Sequence, residues 1–238
     1  MKAFLMMGQS NMAGRGDFGE VPEISDPRIF MLRNGRWQMM SEPINPDRGV
    51  FPTGEYGIHS GIGPAASFAE EYLKQYGCEV GLIPCADGGT RISQWQPGTP
   101  LFDHAMMQAE LAMRSSEIAG ILWHQGESDS YSIENIGRYA DQFLNMIEAA
   151  RTRLGAPDLP VIAGELGYFL PGYAGGKYRF YGALNRELHA LQARLPRYAV
   201  ASASGLTSRP DSLHFNSKSC REFGKRYFEA YREIVVNN

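Results

Sequence analysis

Residues 2–14 read KAFLMMGQSNMAG, a short apolar run that stops at Gly8 and leads directly to Ser10. A run of this length is too short for a membrane span and is typical of a buried strand. Gly8 would permit a sharp turn, and Gly14 and Gly16 would let the backbone lie close to a ligand. Ser10 is then either a nucleophile presented at a strand end or the N-cap of a helix, which is the commoner role.

Composition limits the classes of protein that this chain can be. It has 238 residues, 43% of them hydrophobic, which predicts one domain over residues 1–238. The formal net charge is −3, and no basic cluster suggests a nucleic-acid or anionic-membrane partner. No apolar run reaches membrane-spanning length and the first strand begins at residue 2, so we expect no signal peptide and a cytoplasmic location, unless a leader was removed. The three cysteines follow no metal-binding spacing.

Strand and helix patterns alternate along the rest of the chain. Residues 78–84 form a continuous apolar run, typical of a strand buried on both faces of a parallel sheet. Asn34 and Gly35 within residues 28–40 predict a two-residue hairpin turn at the sheet edge, and the Pro- and Gly-rich residues 41–62 predict a long loop. The remaining patterns predict strands at residues 118–123, 161–164 and 198–202, and helices at residues 65–76, 101–115, 133–154, 178–195 and 217–235.

This alternation predicts the fold class. Five strands separated by helices indicate a three-layer α/β/α protein with a five-stranded parallel sheet and right-handed crossovers. By analogy with flavodoxin-like folds we expect the strand order 2-1-3-4-5. Ligands of such sheets bind at the carboxyl ends of the strands. Ser10, Gly88 and His124 each follow a predicted strand, and His214 follows one after a short loop, so all four are expected on one rim.

Residues 122–129, LWHQGESD, concentrate polar chemistry directly after an apolar strand. The amide of Gln125 could donate to a developing oxyanion, and the carboxylate of Glu127 could orient a base. His124 is expected to be a hydrogen-bonded structural imidazole more than a catalytic one. The serine and aspartate that end the stretch are expected to cap the next helix.

Residues 209–216, RPDSLHFN, place an acid and a histidine three residues apart. In a turn these positions can face one another. Asp211 could then accept the Nδ1 proton of His214 and leave Nε2 directed at a nucleophile. Such a pair often arises by chance, but with Ser10 and Gln125 on the same rim it would supply the missing base.

Four blocks together resemble a known family: GQSNMAG at residues 8–14, ADGGT at 86–90, WHQGESD at 123–129 and DSLH at 211–214. In this order they resemble the motifs of the SGNH (GDSL-like) hydrolases. More narrowly they are similar to the branch that holds the sialate O-acetylesterases and acetylxylan esterases, like carbohydrate esterase family 6. The resemblance spans residues 4–215.

The resemblance implies a Ser10-His214-Asp211 esterase that works without metal or cofactor. It implies an oxyanion hole built from the Ser10 amide, the Gly88 amide and the Gln125 side chain. The wider superfamily has Gly-x-Asn-Asp where this chain reads His-Gln-Gly-Glu, so Gln125 stands in for the asparagine. Glu127 could be the triad acid instead of Asp211, or could hold the Gln125 amide in place. Asp211 is favoured because its position depends only on the local backbone.

The expected substrate is a small molecule or oligosaccharide that carries an O-acetyl ester. Arg91, Trp95 and Tyr168 are candidates for a sugar-facing rim, since an aromatic face suits the C–H surface of a pyranose. Each could equally be an ordinary surface or core residue.

Three alternative functions remain open. A non-catalytic carbohydrate-binding protein could use the same fold. A lipase or thioesterase would need a long apolar channel, which these Gly-, Pro- and Tyr-rich loops do not obviously build. A cysteine hydrolase using Cys85 is least favoured, because no histidine is nearby in the sequence.

Overall fold

The computed structural model describes residues 1–48, 50–51 and 59–236, and a seven-stranded sheet forms its middle layer. The strands are β1 (Lys2–Gly8), β2 (Ile29–Arg33), β3 (Arg36–Met39), β4 (Val80–Pro84), β5 (Glu117–His124), β6 (Val161–Gly164) and β7 (Tyr198–Ala201). Their order across the sheet is β3-β2-β4-β1-β5-β6-β7. Every neighbouring pair is parallel except β2 and β3, which form an antiparallel hairpin.

Helices cover both faces of this sheet. They are α1 (Ser10–Ala13), α2 (Ala65–Tyr76), α3 (Pro100–Ala112), α4 (Ile133–Arg153), α5 (Tyr181–Ala190) and α6 (Ser217–Val236), with 3₁₀ helices at Ile92–Trp95, Leu170–Gly175 and Leu191–Ala193. Successive side chains of a strand point to opposite faces. Accordingly Leu5 of β1 packs in the core under α3, α4 and α5. Phe4 packs in the other core, edge-to-face on Phe68 of α2 at 4.7 Å.

The predicted fold class is confirmed, with one correction to the strand count. The five predicted parallel strands lie in the predicted order 2-1-3-4-5, but the sheet has seven strands instead of five. The predicted edge hairpin supplies the other two, because β2 pairs in parallel with β4, with Ile29 opposite Val80. Its apolar residues Ile29 and Met31 are buried, and this burial explains why the hairpin joins the sheet.

The predicted helices and strands differ from the observed ones by a few residues at their ends. The helix predicted at residues 178–195 begins at Tyr181 and ends as a 3₁₀ turn. The predicted loop at residues 41–62 is irregular where it is described, and its residues 49 and 52–58 lie outside the described residues. Among the described helices, none is long and apolar enough to cross a bilayer.

The end of β1 is fixed by a glycine that no other residue could replace without strain. Gly8 has φ +128°, and a Cβ there would lie 2.1 Å from the carbonyl oxygen of His124. The next amide, that of Gln9, donates to the same oxygen at 2.8 Å. Gly14 and Gly16 were expected near a ligand. They instead approach the backbone of residues 61–63.

Candidate active site

Three side chains from opposite ends of the chain meet where the parallel strands end. Ser10 is the first residue of α1, and its Oγ lies 3.0 Å from Nε2 of His214. Nδ1 of His214 lies 2.7 Å from Oδ2 of Asp211. A carboxylate oxygen only accepts, so the Nδ1 carries a proton and the Nε2 lone pair faces the Ser10 hydroxyl. The structure thus brings together the predicted nucleophile, base and acid.

A tight turn explains why the acid and the histidine face one another. The other oxygen of Asp211, Oδ1, accepts from the backbone amides of Leu213 at 2.9 Å and of His214 at 3.0 Å. The Arg209 amide donates to the carbonyl oxygen of His214 at 2.7 Å and closes the turn. Asp211 is therefore held by its own backbone with one oxygen left for the imidazole.

Burial and charge set the titration of this pair. Burial lowers the pKa of His214, and the positive charge of Arg15 lowers it further, against the raising effect of Asp211. For Asp211, burial raises the pKa, but the amides of His214 and Leu213 and the His214 imidazole outweigh it, so the pKa is lowered. Both shifts favour a neutral imidazole beside an ionised carboxylate near pH 7.

We expect kcat/KM for an ester to stay high into mildly acidic solution. The base must be unprotonated, and its pKa lies below the ordinary 6.5, so activity should fall only at a pH below that value. A pH profile of p-nitrophenyl acetate hydrolysis measures this, with an NMR titration of His214 as an independent check. An acidic limb centred above 6.5 would contradict the burial of His214.

Two backbone amides near the Ser10 hydroxyl, those of Ser10 itself and of Gly88, are free to bind an oxyanion. Gly88 follows β4, and a Cβ built on it would lie 3.8 Å from the Cβ of Ser10. Within the described ranges, neither the Ser10 nor the Gly88 amide donates to another protein group. Paired free amides beside a nucleophile can stabilise the negative oxygen of a tetrahedral intermediate.

The side chain of Gln125, the predicted third donor, is committed elsewhere. It is fully buried, and its Nε2 lies 2.9 Å from the Thr90 carbonyl oxygen and 2.6 Å from Oδ2 of Asp129. These two acceptors can take both amide hydrogens, and a third, Oε1 of Gln9, lies at 3.2 Å. Gln125 therefore joins two loops of the site, and the structure does not direct a free hydrogen from it toward Ser10.

Glu127 lies apart from the triad imidazole. Its Oε1 accepts from Nδ2 of Asn11 at 2.5 Å and lies 3.3 Å from Nε2 of His124. Burial raises the pKa of Glu127, but the His124 imidazole and the Asn11 amide outweigh it and lower the pKa. His124 is fully buried and also contacts the Tyr227 hydroxyl at 3.2 Å, the structural role expected of it.

Asn11 is a site residue that sequence reasoning missed. Its Oδ1 accepts from the Phe215 amide at 3.1 Å, and its Nδ2 donates to the Leu213 carbonyl oxygen at 3.2 Å. These are the two neighbours of His214. Asn11 thus ties residues 209–216, called here the histidine turn, to α1, and the Glu127 carboxylate accepts a hydrogen bond from Asn11. The only signal in the sequence was its place directly after Ser10.

Arg15 is a second missed residue. It is buried, with Nη1 on the Gly14 carbonyl oxygen at 2.7 Å, and a Cβ on Gly88 would lie 2.9 Å from its Nη2. Burial lowers the pKa of Arg15 to about 10, so it stays a cation at neutral pH. Its charge therefore lies beside the amide that would bind an oxyanion.

The three predicted sugar-facing residues differ in their exposure to solvent. Trp95 is 0% exposed and packs edge-to-face on Trp123 at 5.5 Å, so it cannot contact a sugar, and that prediction is wrong. Arg91 is exposed with its guanidinium over the ring of Tyr131. Tyr168 is 48% exposed, and the next residue, Phe169, packs on Phe215 of the histidine turn. Arg91 and Tyr168 thus remain candidates for the rim.

The fold and these side chains define a class, the hydrolases of the α/β/α type. The chain belongs to the carbohydrate esterase, sialic acid-specific acetylesterase family, whose model matches residues 1–233. This confirms the resemblance to the acetylesterase branch of the SGNH hydrolases. In the described residues, no cluster of three His, Cys, Asp or Glu side chains could hold a metal ion.

Known proteins and solved structures are similar to this chain along nearly its whole length. An Arabidopsis thaliana protein named "Probable carbohydrate esterase At4g34215" is 29% identical over 248 residues, 96% of this chain and 89% of that protein. The crystal structure from that plant locus has a TM-score of 0.84 at 27% identity and covers 98% of both chains. NanS has a TM-score of 0.78 at 16% identity, covering 99% of this chain and 98% of its own. XAC1771, a carbohydrate acetylesterase from Xanthomonas citri, has a TM-score of 0.69 at 19% identity, covering 99% and 56%.

Proposed function

We propose that the protein removes O-acetyl groups from a carbohydrate through an acetyl-serine intermediate. The observation that carries the proposal is the unbroken line of contacts from the Ser10 hydroxyl through His214 to Asp211. Membership of the carbohydrate esterase family supports the ester and the sugar.

The first half-reaction forms the acetyl-enzyme. Nε2 of His214 takes the Ser10 proton as Oγ attacks the acetyl carbonyl carbon. The carbonyl oxygen becomes an oxyanion between the amides of Ser10 and Gly88, with the Arg15 cation nearby. When the intermediate collapses, the bond to the sugar oxygen breaks and that oxygen leaves with the proton from Nε2.

The second half-reaction returns the enzyme to its starting state. Water loses a proton to Nε2 of His214 and attacks the acetyl carbon through the same oxyanion geometry. The bond to Oγ of Ser10 breaks, Oγ regains the proton, and acetate leaves. Asp211 keeps the imidazole in one tautomer throughout and stabilises its protonated form.

Acetate release from a substrate panel tests this proposal. The panel contains O-acetylated sialic acids, acetylated xylo-oligosaccharides and acetylated monosaccharides, and the sialic acids come first because of the family description. We expect release from at least one acetylated sugar, and faster cleavage of p-nitrophenyl acetate than of the octanoyl ester. Sugar binding without any release would favour a carbohydrate-binding protein, and preference for the octanoyl ester would favour a lipase.

A further inference from the structure

The turn after β4 contains a chain of hydrogen bonds that leads from the core to the Gly88 amide. The indole Nε1 of Trp95 donates to Oγ1 of Thr90 at 3.0 Å. The same hydroxyl donates to the carbonyl oxygen of Asp87 at 2.8 Å. Thr90 is 2% exposed and Trp95 is fully buried, so water does not compete for these groups.

The direction of these bonds follows from the groups involved. An indole N–H only donates, so the Thr90 oxygen must accept from Trp95. The single hydroxyl hydrogen of Thr90 is then free for the Asp87 carbonyl oxygen, the other hydrogen-bond partner of this hydroxyl among the described residues. The buried tryptophan thus fixes the orientation of the hydroxyl.

This chain of hydrogen bonds from Trp95 through Thr90 to Asp87, called here the relay, ends at the peptide group that carries the Gly88 amide. The Asp87 carbonyl and the Gly88 N–H belong to one peptide group, and a hydrogen bond to the oxygen polarises the N–H. We propose that Thr90, held by Trp95, is a positioning residue that orients and strengthens the Gly88 amide as an oxyanion donor. This inference rests on the proposed esterase function.

Other contacts hold the rest of this turn, and in the described residues the Gly88 N–H donates to no protein group. The Thr90 carbonyl oxygen accepts from Gln125, and the Gly88 carbonyl oxygen accepts from Nη2 of Arg48 at 2.8 Å. The Ile92 amide donates to Asp129 at 3.0 Å. Because the backbone is tied at these other points, loss of the Thr90 hydroxyl should change the peptide locally and leave the turn in place.

A pair of substitutions at one position tests the relay. Thr90→Val keeps the shape and removes the hydroxyl, whereas Thr90→Ser keeps the hydroxyl. We expect Thr90→Val to lower kcat for p-nitrophenyl acetate by about 10- to 100-fold, less than the loss of a whole oxyanion donor. KM should change by less than about threefold, since the amide acts mainly on the transition state. Thr90→Ser should restore kcat to within about threefold of wild type, because it retains the hydroxyl that polarises the Gly88 peptide.

Three further measurements separate this role from a merely structural one. Fluorophosphonate labelling of Ser10 should slow in parallel with kcat, because the phosphonyl oxygen needs the same donors. The acidic limb of the pH profile should not move, since His214 is untouched. Trp95→Phe removes the indole N–H together with the five-membered ring that carries it and frees the Thr90 hydroxyl to turn, so it should lower kcat in the same direction. Thr152→Val is the matched control, because it also loses a hydroxyl-to-carbonyl bond, to Glu148 on α4.

The outcomes distinguish this inference from the function on which it rests. Equal kcat in folded Thr90→Val and wild type, or an equal loss in Thr90→Ser, would overturn the relay and leave the esterase intact. If Thr90→Val does not fold, unchanged kcat and labelling in Trp95→Phe would overturn it. A wild-type protein that cleaves no ester and takes no label would overturn the esterase proposal itself.

Discussion

Ser10→Ala is expected to abolish ester hydrolysis, with a fall in kcat of about a million-fold, as for a hydrolase that loses its nucleophile. In the described residues, Ser10 provides the only hydroxyl that His214 Nε2 contacts, so no other group can form the acyl-enzyme. Ser10 is 6% exposed and loses one oxygen, so the protein should stay folded with a melting temperature close to that of wild type. Acetate release and thermal unfolding, measured together, check both expectations.

The control is a serine with no place in the site. Ser204→Ala removes the hydroxyl of an exposed residue in the loop after β7 and should leave turnover unchanged. In wild type, a fluorophosphonate should label Ser10, and peptide mapping shows where the label lies. A label on Ser128 or Ser212, or near-wild-type turnover in folded Ser10→Ala, would contradict the whole mechanism.

The parts of the site that sequence predicted well are those fixed by local chain geometry. Ser10 follows β1 through a glycine turn, and Asp211 reaches His214 within four residues. Both features depend on the short-range backbone. The glycine predicted a turn that presents Ser10, and the i, i+3 spacing predicted that Asp211 faces His214. The alternation of strands and helices predicted the parallel sheet, and the analogy with flavodoxin-like folds predicted the order of its five strands. The hairpin was expected at the sheet edge, but its pairing with β4 was not predicted.

Side-chain direction was where the sequence failed. Gln125 lies after a strand end, as predicted, but Asp129 four residues later and the Thr90 carbonyl take its amide hydrogens. Trp95 lies at the end of the 3₁₀ helix Ile92–Trp95, and nothing in the local sequence distinguishes an indole at the rim from one in the core. Its N–H partner, Thr90, decides the question, and that contact appears only when the turn is folded.

Asp211→Asn is expected to lower kcat by about 10,000-fold, the loss that this exchange causes in a serine protease triad. The backbone amides of Leu213 and His214 would hold the asparagine oxygen where Oδ1 now lies. Its NH₂ would then face Nδ1 of His214 and force the proton onto Nε2. An Nε2 that carries a proton cannot accept the one from Ser10.

Glu127→Gln should be far milder, because Glu127 bonds Asn11 and not the triad imidazole. A glutamine oxygen can still accept from Asn11, so the histidine turn stays tied to α1, and we expect a fall of no more than about 100-fold, as for residues that only orient a catalytic group. Turnover of p-nitrophenyl acetate by both variants, each shown to be folded by circular dichroism, gives the comparison. If Glu127→Gln proves the more damaging of the two, the triad acid is Glu127 and Asp211 only forms the turn.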